Sequence, residues 1–227
     1  MRALLLAAGL GTRLRPITDT VPKCLVPIKG VPLLGIWLSR LQESNIGPYL
    51  INTHYLEGQV REFIKASDFN DQVLLVNEPE LLGTAATLKK NVDFFNDCDG
   101  MVIHADNYCM ANFQEFVYAH RNRPTGCLMT MMTFKTDNPS ACGFVELNKE
   151  GIVIKFHEKV LNPPGNLANG AIYILSKELI SKFKNKFMNA TDFSTDIIPA
   201  LLDKIYTYET NMPLIDIGSV KNYNKVK

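Results

Sequence analysis

Arg13 and Lys23 stand in a loop that also holds Gly9 and Gly11. The stretch Gly9–Pro27 reads GLGTRLRPITDTVPKCLVP and follows directly on the apolar run Ala3–Ala8. The run predicts a buried strand over Ala3–Ala7 that feeds a glycine-bearing loop. Glycines let a backbone turn tightly and bring its N–H groups close to a ligand. Arg and Lys supply the charge that oxyanions need. Such a loop suits a nucleoside triphosphate, with Leu6 and Ala8 at the end of the run lying beside it. It is not a P-loop, which would close on Gly-Lys-Ser/Thr. Nor is it a dinucleotide fingerprint, which would need a third glycine where Leu14 stands.

Two acids lie at places of similar interest. Asp106 follows the short predicted strand Met101–His104. Asp216 sits inside the apolar stretch Leu214-Ile215-Asp216-Ile217. An unpaired carboxylate is costly in such surroundings, so Asp216 needs a partner. Each acid also has a plain structural alternative. Asp106 could cap a turn, and Asp216 could cap the last helix near Ser219.

The loop closely resembles the signature of the sugar-1-phosphate nucleotidyltransferases, G-x-G-T-R-x-x-P-x-T, then K, then P. The matching residues are Gly9, Gly11, Thr12, Arg13, Pro16, Thr18, Lys23 and Pro27. The resemblance continues at Leu82–Ala85, Asp106-Asn107, Glu158-Lys159, Asn169–Tyr173 and Asp216–Gly218. It is greatest toward the short mannose- or heptose-1-phosphate guanylyltransferase-like branch. It implies an enzyme that joins a sugar 1-phosphate to an NTP and releases pyrophosphate. Both reactants are anions, so positioning and charge neutralisation account for most of such catalysis. The resemblance makes Arg13, Lys23 and Asp106 catalytic. Arg13 meets the β- and γ-phosphates, and Lys23 neutralises charge at the α-phosphate. Asp106 and Asp216 hold Mg²⁺.

By the same resemblance, Gly9, Gly11, Thr12, Glu80, Gly83 and Thr84 complete the nucleotide site. Asn107, Gly143, Glu158, Lys159, Asn169 and Thr195 form the sugar-phosphate site, with Lys159 on the phosphate. Thr84 could instead merely begin a helix, and Gly143, Asn169 and Thr195 could be turn or cap residues. The chain departs from the family at Ala105, where Gly is usual, and at Val160, where Pro is usual. Glu80 bears on the base. A carboxylate accepts only, and guanine presents adjacent N1–H and N2–H donors, whereas uracil and thymine set one donor between two acceptors. GTP is therefore the expected donor, with UTP, CTP and dTTP as alternatives and a hexose or heptose 1-phosphate as acceptor.

The elements that must position these residues alternate. Strands are expected at Tyr49–Thr53, Gln72–Val76 and Met101–His104. Helices are expected at Leu33–Gln42, Gly58–Lys65, Gly83–Asn91 and Asn112–His120. Repeated β-then-α units predict an α/β fold, a Rossmann-like, mixed and mainly parallel sheet with helices on both faces. Ligands bind such sheets beyond the strands' carboxyl ends. Further strands are expected at Cys127–Thr133, Gly143–Leu147, Ile152–His157 and Gly170–Leu175, with helices at Lys177–Phe183 and Thr195–Leu202. The 227 residues suit one domain, 1–227, with a nucleotide-binding half to about 125 and a sugar-phosphate half from about 126.

A formal net charge of +1 with no basic run argues against nucleic acid as a partner. No apolar run is long enough to cross a bilayer, and no cleavage-like site follows the apolar start. Cys24, Cys98, Cys109, Cys127 and Cys142 form no C-x-x-C pair, which points to reduced thiols in the cytoplasm. Cys24 beside Lys23 reads first as a small loop residue, with a low-pKa reactive thiol as the alternative. A homo-oligomer is compatible with all of this. Two rival functions are weaker. A non-catalytic NDP-sugar-binding protein should have lost Arg13, Lys23 or an aspartate. A dehydrogenase should carry a ribose-binding acid near Asn52-Thr53-His54.

Overall fold

The apolar start forms a strand at Arg2–Leu6, and the strands Tyr49–Thr53 and Val73–Asn77 extend from it in parallel. Ala3 pairs with Tyr49, and Tyr49 in turn with Val73. Parallel neighbours need crossovers, and the helices Leu33–Glu43 and Glu57–Lys65 lie in these connections. Leu4, Leu38 and Ile51 have no exposed surface, so apolar burial holds this layer. All three strands end on one side, at Leu6, Thr53 and Asn77. Their loops therefore gather there.

The computed structural model describes residues 1–227, which divide into two compact units. The first comprises Met1–Leu81, Ile103–Met110 and Pro213–Lys227, and the second Leu82–Val102 and Ala111–Met212. Neither is a continuous half of the chain. The first unit also holds two short antiparallel pairs, Pro27–Ile28 with Val31–Pro32 and Asn107–Cys109 with Leu214–Asp216.

In the second unit, Leu167–Leu175 runs antiparallel to Met129–Lys135, and Gly143–Leu147 antiparallel to Val153–Glu158. Ile205–Glu209 lies parallel to Met129–Lys135. The helices Thr84–Lys90, Phe113–Arg121 and Lys177–Lys186 complete it. The expected mixed α/β class is found, with the three long strands of the first unit parallel and both orientations in the second.

One predicted element is corrected. Thr195–Leu202 is not a single helix but a π-helical turn at Phe193–Ile197 followed by a 3₁₀ turn at Pro199–Leu201. The Asp192 side chain accepts from the N–H groups of Ser194 and Thr195, which starts the turn earlier. Pro199 has no N–H with which to continue a regular helix. No helix is long and apolar enough to cross a membrane.

Candidate functional site

The glycine loop is tied to the strand ends of the first unit by buried polar groups. The Ala7 N–H donates to Asn52 Oδ1 at 2.8 Å, and Asn52 Nδ2 donates to Glu78 Oε1 at 3.1 Å. His54 Nδ1 lies 2.7 Å from the Glu78 carbonyl. Asn52 and Glu78 are buried, and sequence reasoning overlooked both. Their one signal is polarity where an apolar strand ends. Gly11 has φ +66°, and a Cβ there would come within 2.8 Å of Thr18 Cγ2. The Thr18 hydroxyl donates to the Gly11 carbonyl at 2.7 Å, which closes the loop on itself. Leu14 is fully buried and anchors the 3₁₀ turn Thr12–Leu14. Of the other predicted residues here, Ala8 is buried, Leu6 is half-buried, and Gly9, Thr12 and Glu80 are exposed.

At the foot of this loop, Lys23 turns inward and is only 6% exposed. Its ammonium lies 2.6 Å from Asp106 Oδ2 and 3.5 Å from Asp216 Oδ1. Arg13 Nη2 lies 3.8 Å from Asp216 Oδ2. Backbone pairing brings the two acids together. Asp216 stands opposite Asn107, the Ile217 N–H donates to the Asp106 carbonyl at 3.3 Å, and the Ala105 N–H to the Leu6 carbonyl at 3.0 Å. Trp37 Nε1 holds this turn from below, donating to the Asn107 carbonyl at 2.8 Å. Asn107 is itself buried. Burial works to raise the Asp106 pKa, but the Lys23 charge, helped by His104 and by the Lys23 hydrogen bond, holds it below the ordinary value.

Gly218 completes the cluster. Its N–H donates to Asp216 Oδ1 at 2.7 Å. A Cβ there would fall 2.7 Å from that oxygen, 2.9 Å from Arg13 Nη2 and 3.0 Å from Lys23 Nζ. Ser219, not Asp216, caps the terminal helix, accepting from the Asn222 N–H at 3.3 Å. Cys24 is buried, and burial pushes its thiol up to about 12. That overturns the reactive-thiol reading, since a thiolate is the nucleophile.

The remaining predicted residues lie in the second unit. Gly143 pairs with Glu158 across two strands, and a Cβ on Gly143 would come within 2.8 Å of Glu158 Oε2. Lys159 Nζ lies 3.1 Å from Glu158 Oε1 and is well exposed. Asn169, Thr84 and Thr195 are committed elsewhere. Asn169 Nδ2 donates to the Tyr173 hydroxyl at 2.7 Å, and its Oδ1 accepts from the Ala171 N–H at 2.9 Å. The Thr84 hydroxyl donates to Asp192 at 3.2 Å and accepts from the Phe193 N–H at 2.7 Å. The Thr195 hydroxyl donates to Asp196 Oδ1 at 3.1 Å. Gly83 has φ +90°, and the Thr191 carbonyl leaves no room there for a Cβ. These four brace the unit by bonds that are visible only in the folded chain.

The profile described as nucleotidyl transferase matches residues 2–227. The chain belongs to that family. A candidate mannose-1-phosphate guanyltransferase of Sulfolobus acidocaldarius is 29% identical over 228 residues, spanning 99% of this chain and 61% of that protein. The mannose-1-phosphate guanylyltransferase of Mycobacterium tuberculosis is 27% identical over 226 residues, spanning 97% of this chain and 62% of that protein. The chain thus spans about three fifths of the length of these curated relatives. Its fold matches a structure from Bacillus anthracis, described as a candidate glucose-1-phosphate thymidylyltransferase with sucrose, at TM-score 0.87 and 22% identity, covering 100% of this chain and 93% of that one.

Proposed function

We propose that this nucleotidyl transferase family member joins a sugar 1-phosphate to an NTP, GTP by preference, giving an NDP-sugar and pyrophosphate. The observation that carries this reading is the pairing of Lys23 with both Asp106 and Asp216 beneath the Gly9 loop. Two cations for phosphates and two carboxylates for a metal ion meet within one unit. The acceptor is a hexose or heptose 1-phosphate. The names of the relatives favour mannose and GTP, and Glu80 is exposed to accept from a base edge.

The donor set fits Mg²⁺. Asp106 and Asp216 are hard oxygen donors that already converge on one cation, and both are partly open to solvent. Mg²⁺ typically takes one or two carboxylates and fills its remaining positions with water and substrate phosphate oxygens. Bound there, it would neutralise charge on the phosphates and orient them for in-line displacement. The chain's own residues do the rest. Gly11 bends the loop so that backbone N–H groups face the triphosphate, and Arg13 reaches the outer phosphates from the surface. Lys23 offsets charge that grows at the α-phosphate in the transition state. In the second unit, Lys159 binds the phosphate of the sugar and Glu158 accepts from its hydroxyls.

A competition assay tests the donor. With GTP, UTP, CTP, ATP and dTTP present together and a panel of sugar 1-phosphates, GDP-sugar should be the main product. A clear preference for another NTP would remove the guanine reading and leave the reaction class intact.

A further inference from the structure

The Lys23 ammonium touches the same Asp106 carboxylate that would serve a metal ion. Lys23 is buried, and its Nζ is shared between Asp106 at 2.6 Å and Asp216 at 3.5 Å. Asp216 also faces Arg13 at 3.8 Å. Gly218 keeps the space clear, since even a methyl group there would crowd Asp216, Arg13 and Lys23 at once. Each carboxylate of the pair is thus already balanced by a cation that the triphosphate would need.

We propose that Lys23 is the built-in counter-cation of the Asp106–Asp216 pair, which a divalent ion must displace, so that metal and triphosphate bind as partners. The inference rests on the functional reading above. Two cations drawn to one carboxylate repel each other, and the buried Lys23 ammonium has little solvent to screen it. A metal ion arriving alone must therefore pull the carboxylates from Lys23 and leave a buried ammonium without its anions. A triphosphate arriving alone must draw Lys23 away and leave the carboxylates facing each other. When both arrive, every charge finds a new partner. The phosphates take Lys23 and Arg13, and the metal takes Asp106 and Asp216. Linkage then requires that each ligand tighten the other by the same factor.

Mn²⁺ serves as the probe, with free ion read by electron paramagnetic resonance and no nucleotide present. Lys23→Met should bind Mn²⁺ about tenfold or more tighter than the wild type, a usual size for such coupling. Lys23→Arg should bind it as weakly as the wild type. A non-hydrolysable GTP analogue should then tighten Mn²⁺ binding less in Lys23→Met than in the wild type. Equal or weaker Mn²⁺ binding in a folded Lys23→Met would overturn the inference. If that variant does not fold, the ¹³Cε resonance of Lys23 in the wild type decides. It should shift when Mg²⁺ is added alone, and a resonance that stays put while Mg²⁺ binds would overturn the idea. Should no NTP analogue bind while Mn²⁺ still competes with Lys23, the nucleotide reading fails and the counter-cation stands.

Discussion

Lys23 donates to Asp106 at 2.6 Å from a position that is 6% exposed, whereas the side chain of Asp106 is 40% exposed. The lysine therefore depends on the aspartate more than the reverse. Asp106→Asn should cost stability as well as turnover. Turnover should fall by at least about a hundredfold, the scale of losing one preorganised electrostatic contact. Stability should fall by about 1–2 kcal/mol, less than for a fully buried pair because Asp106 partly faces water. Denaturant unfolding and initial rates check both. Wild-type turnover in a folded variant would remove Asp106 from the chemistry.

Gly218→Ala separates the site from the fold. The added methyl would meet the ends of Asp216, Arg13 and Lys23, all flexible side chains that can shift. Tm should change by only a few degrees, while kcat should fall about tenfold or more, because small displacements at a reacting centre are costly. Unchanged kcat would show that this close approach is dispensable.

Gly83→Ala should do the reverse. Its backbone lies at φ +90°, and the new Cβ would sit 2.5 Å from the Thr191 carbonyl oxygen, which is backbone and cannot swing aside. The expected loss is about 2 kcal/mol or more. Thermal denaturation checks it, and a variant as stable as the wild type would contradict the packing described.

Much of the fold is legible from local pattern. Tyr49–Thr53 and Gly143–Leu147 are strands with the bounds their sequences predict. Pairings between distant residues are less so. Leu214–Asp216 is a strand only because it lies against Asn107–Cys109, and neither is long enough to show alternation. The predicted helix over Thr195–Leu202 fails because Asp192 caps a turn upstream and Pro199 interrupts it. At the site, the Gly9–Pro27 stretch announces itself through glycine and charge. Asn52 and Glu78 do not, since their importance lies in whom they bond.

The pH dependence of stability has a source outside the candidate site. His120 has no exposed surface; its Nδ1 lies 2.8 Å from the Thr130 hydroxyl, and its Nε2 3.5 Å from Asp99. Burial, aided by Arg123, pulls its pKa below the ordinary 6.5 despite Asp99. The unfolded chain therefore takes up the proton first as pH falls. Stability is full above about 6.5 and declines as pH drops from there through the folded value. Tm should fall between pH 7 and pH 5 in the wild type and flatten in His120→Asn. An equal slope in both would contradict this.

The two lysines should separate kinetically. Lys23→Ala should lower kcat, as expected for charge compensation that matters in the transition state. Lys159→Ala should chiefly raise KM for the sugar 1-phosphate and leave NTP binding nearly intact. Equal losses of NTP affinity in both would contradict the division of roles.

The reaction itself is tested most directly by following labelled phosphorus. The protein is incubated with GTP, mannose 1-phosphate and Mg²⁺, with ³²P in either the α- or the γ-position. The α-label should appear in a GDP-sugar and the γ-label in pyrophosphate, with both transfers abolished by EDTA and nearly so in Asp216→Asn. Transfer of the γ-label to the sugar would contradict the account, as would the absence of any transfer across all NTP and sugar 1-phosphate pairs.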